Sequence, residues 1–301
     1  MQLTEETPAT AVGNEPQATP AAATVTPDTD LASLSQAQLY DLNQELLNDS
    51  VPSRPLIDEV SPMTALREEY ENGSQSFVQQ IDWLMEKGYK AVRRTKGDGD
   101  CFYRSVAFAY VDRIIHSADV PLAAASAAST IQSTLSMLDM AGFQKLVFED
   151  FYDVLVSLIE STVQPDAEGR TVDDNVLLEQ FQMPEVSNSI VVFLRLLTSA
   201  QIRTDPESYE AFLFHPELGE QLAPREFCES LVEAVGKEAD HVQIMALSRA
   251  LHLDIDIAYL DGRNADGKVD FVDFRNSGDK DAQPLILLYR PGHYDILLKT
   301  G

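Results

Sequence analysis

Lys96-Gly97-Asp98-Gly99-Asp100-Cys101-Phe102-Tyr103-Arg104 is the stretch from which the rest of the chain can be read. Its two glycines permit a sharp turn, and directly after them Phe102, Val106, Ala109 and Tyr110 recur at i, i+4, i+7 and i+8, the spacing of a buried helix face. A helix therefore opens at Cys101. At a helix N-terminus the unpaired backbone N–H groups and the positive end of the macrodipole favour a thiolate, and the same N–H groups can receive an oxyanion. A free cysteine taken alone is more often a buried structural group, but the glycine turn and the helix start argue for a nucleophile. Asp98 and Asp100 do not form a calcium loop, because Phe102 and Tyr103 stand where an EF-hand needs an oxygen ligand and a glycine.

A thiol nucleophile needs a base, and the chain offers one in Leu287-Leu288-Tyr289-Arg290-Pro291-Gly292-His293-Tyr294-Asp295-Ile296-Leu297-Leu298. Pro291-Gly292 suits the centre of a type II turn, so the flanking apolar runs read as an antiparallel hairpin. His293 and Asp295, two apart on one strand, then share a face. There a carboxylate can accept one imidazole N–H, fix the tautomer and leave the other nitrogen for the thiol. Tyr294, Ile296 and Leu298 take the opposite, apolar face. Taken alone, His-x-Asp is more often a solvated strand face than a catalytic pair. His116, His215, His241 and His252 lack such an arrangement; Asp240 reads as the N-cap of a helix over 242–251, and Cys228, with no glycine turn before it, reads as structural.

Between these two segments the pattern is largely helical. Thr64 to Glu71 and Ser76 to Lys87 read as helices and 89–92 as a short strand. Phe143, Leu146, Val147, Tyr152, Leu155, Leu158 and Ile159 suit a buried helix pair, and Ser189 to Ala200 suits another helix. From Asp254 the period changes to strands: 255–259, 268–274 and the continuous apolar run 285–289, fit for a central strand. Helices first and strands last make an α+β fold.

With 22 Lys plus Arg against 49 Asp plus Glu, the 301-residue chain has a formal charge of −27, which excludes nucleic acid and anionic membranes as partners. Residues 1–34, rich in Ala, Thr and Pro and without an aromatic, read as a disordered acidic tail. A helix follows over 35–50, with Ser35 as N-cap. Eight of the acids and no base precede Arg54, leaving a formal −19 for the remainder. Two cysteines and scattered histidines show no disulfide framework and no metal-ligand spacing. A reducing, cytoplasmic or nuclear setting is the expectation, with no signal peptide and no membrane span.

Asp98-Gly99-Asp100-Cys101-Phe102-Tyr103-Arg104 and Tyr289-Arg290-Pro291-Gly292-His293-Tyr294-Asp295, with Cys101 and His293 192 residues apart, together resemble the otubains, ovarian-tumour-type cysteine proteases that remove ubiquitin. The likeness extends from 237–241 through to 250–251 and along the following strand 254–259, and covers the chain from about residue 35. It implies a papain-like α+β fold, with a helical subdomain and a mixed or antiparallel central sheet, over 35–301. It also implies isopeptide hydrolysis after the last glycine of ubiquitin, with Cys101 as nucleophile, His293 as base and then acid, Asp295 orienting His293, and Asp98 supporting the oxyanion turn. No cofactor or metal is implied, and the expected partners of a monomer are ubiquitin, polyubiquitin and ubiquitin-conjugating enzymes. Preference for lysine-48-linked chains, and a non-catalytic restraint of conjugating enzymes as the alternative role, come from the same resemblance. The family more often has Asn at the position of Asp100, so an extra negative charge beside Cys101 is expected to oppose its ionisation. The two arginines in the ubiquitin tail match an acidic groove.

Overall fold

The computed structural model describes residues 54–299, apart from 73, 168, 280 and 281. The tail expected over 1–34 and the helix over 35–50 lie outside the described residues. The chain begins with strand β1 (Ile57–Pro62), helices α1 (Met63–Glu71) and α2 (Gln75–Glu86), and strand β2 (Ala91–Thr95). A helical block follows: α3 (Cys101–Ile115), α4 (Val120–Ser133), α5 (Leu135–Met140), α6 (Lys145–Glu160), α7 (Asp174–Gln182) and α8 (Pro184–Thr204). After the short helix α9 (Pro224–Phe227), α10 (His241–Ala250) leads into β3 (Ile255–Tyr259), β4 (Asp270–Phe274), β5 (Leu285–Arg290) and β6 (His293–Leu298).

The strands form one mixed sheet in the order β1-β2-β6-β5-β3-β4, in which only β3 and β5 run parallel among the described pairs. Both faces are covered, and the central strands alternate between two cores. Ile255 and Ile257, Leu285 and Leu287, Tyr294 and Ile296 enter the larger core with α3 and the helical block. Ala258, Leu288 and Leu297 face the smaller one, built on Met63 and Leu66 of α1 and Ile81 and Leu84 of α2. Burial on two faces explains why 285–289 reads as a continuous apolar run. Helix α3 packs against β6, and its first residue, Cys101, meets His293 at the start of that strand.

Three expectations change. The helices are not all first, because β1 precedes them and β2 joins the sheet before the helical block. Strand β2 starts at Ala91 and runs through Arg93 and Arg94, whose charges disguise it. Arg94 pairs with Glu69, and Arg93 donates to the Asp58 carbonyl and lies 4.5 Å from the Phe108 ring centre. The buried helix pair expected from 143–159 is one amphipathic helix, α6, with Phe148, Leu155, Leu158 and Ile159 inward and Leu146 87% exposed. Position 148 begins the 3–4 spacing that continues at 151, 152, 155, 158 and 159, which leaves 146 and 147 on the outer side of the first turn.

Candidate active site

Cys101 is the first residue of α3, and the turn before it is clamped on both sides. Asp98 Oδ1 accepts the Asp100 backbone N–H at 3.0 Å and Arg104 Nη1 at 2.9 Å. Arg104, wholly buried, also donates to Ser187 Oγ and Asn188 Oδ1 of α8. Gly99 has φ +79°, and a Cβ there would lie 2.1 Å from the Gly236 carbonyl oxygen, so the turn is pressed onto the 232–237 segment and only glycine fits. Asp100 is bound by the buried Arg195, whose Nε reaches its Oδ1 at 2.9 Å. The free negative charge expected beside Cys101 is therefore paired: Arg195, from α8, neutralises it.

The Pro291-Gly292 turn forms as read, with Gly292 at φ +75° and Arg290 opposite His293. His293 Nε2 lies 2.8 Å from Asp295 Oδ1, and Gly97 passes close to Nδ1, where a Cβ would stand 3.6 Å away. With Nε2 committed to Asp295, Nδ1 is the nitrogen left for the Cys101 thiol. Burial pulls the imidazole towards neutrality, but the hydrogen bonds and charges of Asp295 and Cys101 outweigh it and hold His293 at about 9. Asp295 is not on a solvated strand face; it is fully buried. Burial alone would raise its carboxyl. The His293 bond, the Arg290 guanidinium and the Thr95 backbone N–H at 3.0 Å override that and hold it well below the usual carboxylate range. The ring is thus fixed in tautomer and orientation by a permanent anion.

The family description Peptidase C65 Otubain matches residues 49–299. The chain belongs to the otubain family. It is 34% identical over 253 residues to ovarian tumor domain-containing deubiquitinating enzyme 1 of Arabidopsis thaliana, covering 81% of this chain and 80% of that one. To ubiquitin thioesterase OTUB1 of Homo sapiens it is 33% identical, over 81% of this chain and 83% of that one. Among solved structures it resembles a chain of the h/ceOTUB1–ubiquitin aldehyde–UBCH5B~Ub complex. The TM-score there is 0.71 at 26% identity, over 88% of this chain and 96% of that one. A ceOTUB1 complex with ubiquitin aldehyde and UBC13~Ub matches at TM-score 0.69 and 28% identity, covering 87% and 100%. The α+β otubain fold expected from the sequence is the fold observed.

Reading the sequence for an otubain site finds Cys101, His293, Asp295 and Asp98, and the fold brings these together. It misses the groups that hold them: Thr95, Arg290, Arg104 and Arg195. Arg290 was accessible from hairpin pairing, since the turn sets it opposite His293. Arg195 carried a signal as well, a single charge inside the apolar stretch 190–200. The remaining histidines stay apart. His241 rests against Phe274, with Asp240 capping α10 as expected. His116 joins Asp112 and Asp174 at the far end of α3 from Cys101, the one group of His and carboxylates close enough to share an ion among the described residues. No described helix is long and apolar enough to cross a membrane.

Proposed function

We propose that the protein is a deubiquitinating cysteine peptidase that hydrolyses the bond following the C-terminal glycine of ubiquitin. The observation that carries this reading is His293, locked by Asp295 through Nε2, with Nδ1 left for a cysteine at a helix N-terminus. The Cys101 thiolate attacks the glycine carbonyl carbon, and the oxyanion develops against the N-terminal N–H groups of α3 and the turn held by Asp98. His293 gives its proton to the departing lysine amine as the carbon–nitrogen bond breaks. It then takes a proton from the water that cleaves the thioester, and the imidazolium and thiolate are restored. Asp295 stays ionised throughout and keeps the ring aimed.

Ubiquitin as substrate is supported by the names of the relatives and by the groove beside the site. A cavity of ≈ 550 Å³ is lined by Gly292 and Tyr294 together with Glu217, Glu238 and Asp240, with the Glu238 carboxylate lying against Gly292. Its acids suit the two arginines of the ubiquitin tail. The full chain is expected to turn over ubiquitin carrying a C-terminal fluorogenic amide, and Cys101→Ser is expected not to. Equal rates would remove the reading. Labelling across a panel of modifier vinyl sulfones distinguishes ubiquitin from its relatives. Within this reading we assign a preference for lysine-48-linked chains on the family resemblance, and cleavage rates over all di-ubiquitin linkages test it.

A second role, restraint of ubiquitin-conjugating enzymes without catalysis, is favoured by the company of the structural neighbours, whose complexes contain UBCH5B~Ub and UBC13~Ub. Deleting residues 1–50 separates the two. Loss of inhibition with retained cleavage supports the second role, and no inhibition by either form removes it.

A further inference from the structure

Arg195 interrupts a run of buried apolar residues in α8 and is itself only 1% exposed. A guanidinium so placed is costly unless its donors are occupied. Here they are. Nε and Nη2 both donate to Asp100 Oδ1, Nη2 also reaches the carbonyls of Gly99 at 3.0 Å and Lys237 at 2.7 Å, and Nη1 reaches that of Val232 at 2.9 Å. Its centre lies 4.5 Å from the Tyr103 ring centre, and Asp100 Oδ1 accepts a further bond from the Gly236 N–H at 3.0 Å. One side chain thus ties the turn before Cys101 to the segment that leads into the groove.

The position of Asp100 makes this pairing informative. It immediately precedes α3, and Asp is among the residue types that most favour this place because the carboxylate accepts the free N–H groups of the first turn. Asp100 makes no such bond. Its carboxylate is drawn back to Arg195 instead, away from the helix whose N–H groups the reaction needs.

We propose that Arg195 is a positioning residue of the hydrolysis: it withdraws and neutralises the Asp100 carboxylate, so that the positive end of α3 is left to the Cys101 thiolate and the oxyanion. Without Arg195 the carboxylate is free to fold onto the first-turn N–H groups and to set an unpaired negative charge beside the sulfur. The inference rests on the hydrolase reading above.

The test is a cycle on the full chain, with fluorogenic ubiquitin as substrate. Arg195→Met is expected to lower kcat by about 100-fold or more with little change in KM, the pattern of a transition-state interaction. Adding Asp100→Asn to that variant is expected to restore about tenfold, because the harmful carboxylate is gone. A residue that served packing alone would leave the double variant as slow as the single or slower, and that result overturns the proposal. Should Arg195→Met not fold, Arg195→Lys replaces it, since a single ammonium cannot span Asp100, Gly99, Val232 and Lys237; its deficit must likewise shrink when Asp100→Asn is added. Rates of Cys101 alkylation by iodoacetamide, read at that residue by mass spectrometry, must follow the same order. If wild type fails to turn over ubiquitin, the hydrolase reading falls. The alkylation order then decides the inference alone, and equal rates for the single and double variants overturn it.

Discussion

Cys101 and Cys228 are both free thiols on helical segments, and both are buried, at 2% and 0% exposure. Their surroundings separate them. Cys101 opens its helix after a glycine turn and faces an imidazole held at about 9. Cys228 continues a helix into a π-helical turn (Cys228–Val232); Ser199 O lies 3.8 Å from its sulfur, and burial pushes its thiol up to about 12. Burial is therefore no guide to reactivity. What differs is a positive helix end and a charged histidine, both of which stabilise a thiolate.

The widest separation is expected in turnover. Cys101→Ser should lower kcat by about 10⁴-fold or more, while Cys228→Ser should keep wild-type kcat on fluorogenic ubiquitin. A large loss in both would dissolve the contrast. Next comes Asp295→Asn, which leaves the ring unoriented and without its counter-charge. A fall in kcat of about 10²- to 10⁴-fold is expected, with KM nearly unchanged.

The same substitution sharpens the comparison through pH. His293 is raised from its ordinary 6.5 to about 9, so the imidazolium beside Cys101 persists at neutral pH and is lost as pH rises through about 9. The alkaline limb of kcat/KM should fall there, and in Asp295→Asn it should move down towards the ordinary value. In stability the sign is the same: the His293 contribution is full below about 6.5 and disappears through about 9, as pH-dependent melting should record. The depressed Asp295 carboxyl acts at the other extreme, its contribution vanishing only in acid below the usual carboxylate range. Iodoacetamide at neutral pH should accordingly modify Cys101 and spare Cys228 until the fold opens.

The proposed nucleophile and its base are legible in the sequence because each is announced by local geometry. A glycine turn running into 3.6-residue periodicity marks Cys101, and a Pro-Gly turn with period-2 alternation marks His293 and Asp295. What neutralises and anchors them is not local. Arg195 meets Asp100 across 95 residues, and the Thr95 N–H meets Asp295 across 200. No periodicity reports such pairs, so Asp100 reads as an unpaired charge and the depth at which Asp295 is buried goes unannounced. The misplaced surface of α6 has a different origin. Leu146 and Val147 are apolar enough to suggest a core, and only the register set by Phe148 and Leu155 shows them facing out. Strand β2 is legible only in its first half, read over 89–92 where the strand runs Ala91–Thr95, since Arg93 and Arg94 are charged yet held by Asp58, Phe108 and Glu69.

The smallest effect tests the other side of the comparison. Cys228 packs with Ile202, Tyr209, Val232 and Ala246 in a satellite core apart from the sheet. Replacing it with Ala removes one buried sulfur and no charge, because a thiol held at about 12 is neutral at every working pH. The loss should be about 1 kcal/mol, the scale of one buried methylene-sized group, and a lowering of Tm by about 2–4 °C. Turnover should not change. This outcome carries weight because the satellite core borders the 232–237 segment to which the Cys101 turn is bound. If Cys228→Ala slowed kcat while the melt stayed high, the two thiols would be coupled through that segment, and Cys228 could no longer be treated as a packing residue alone.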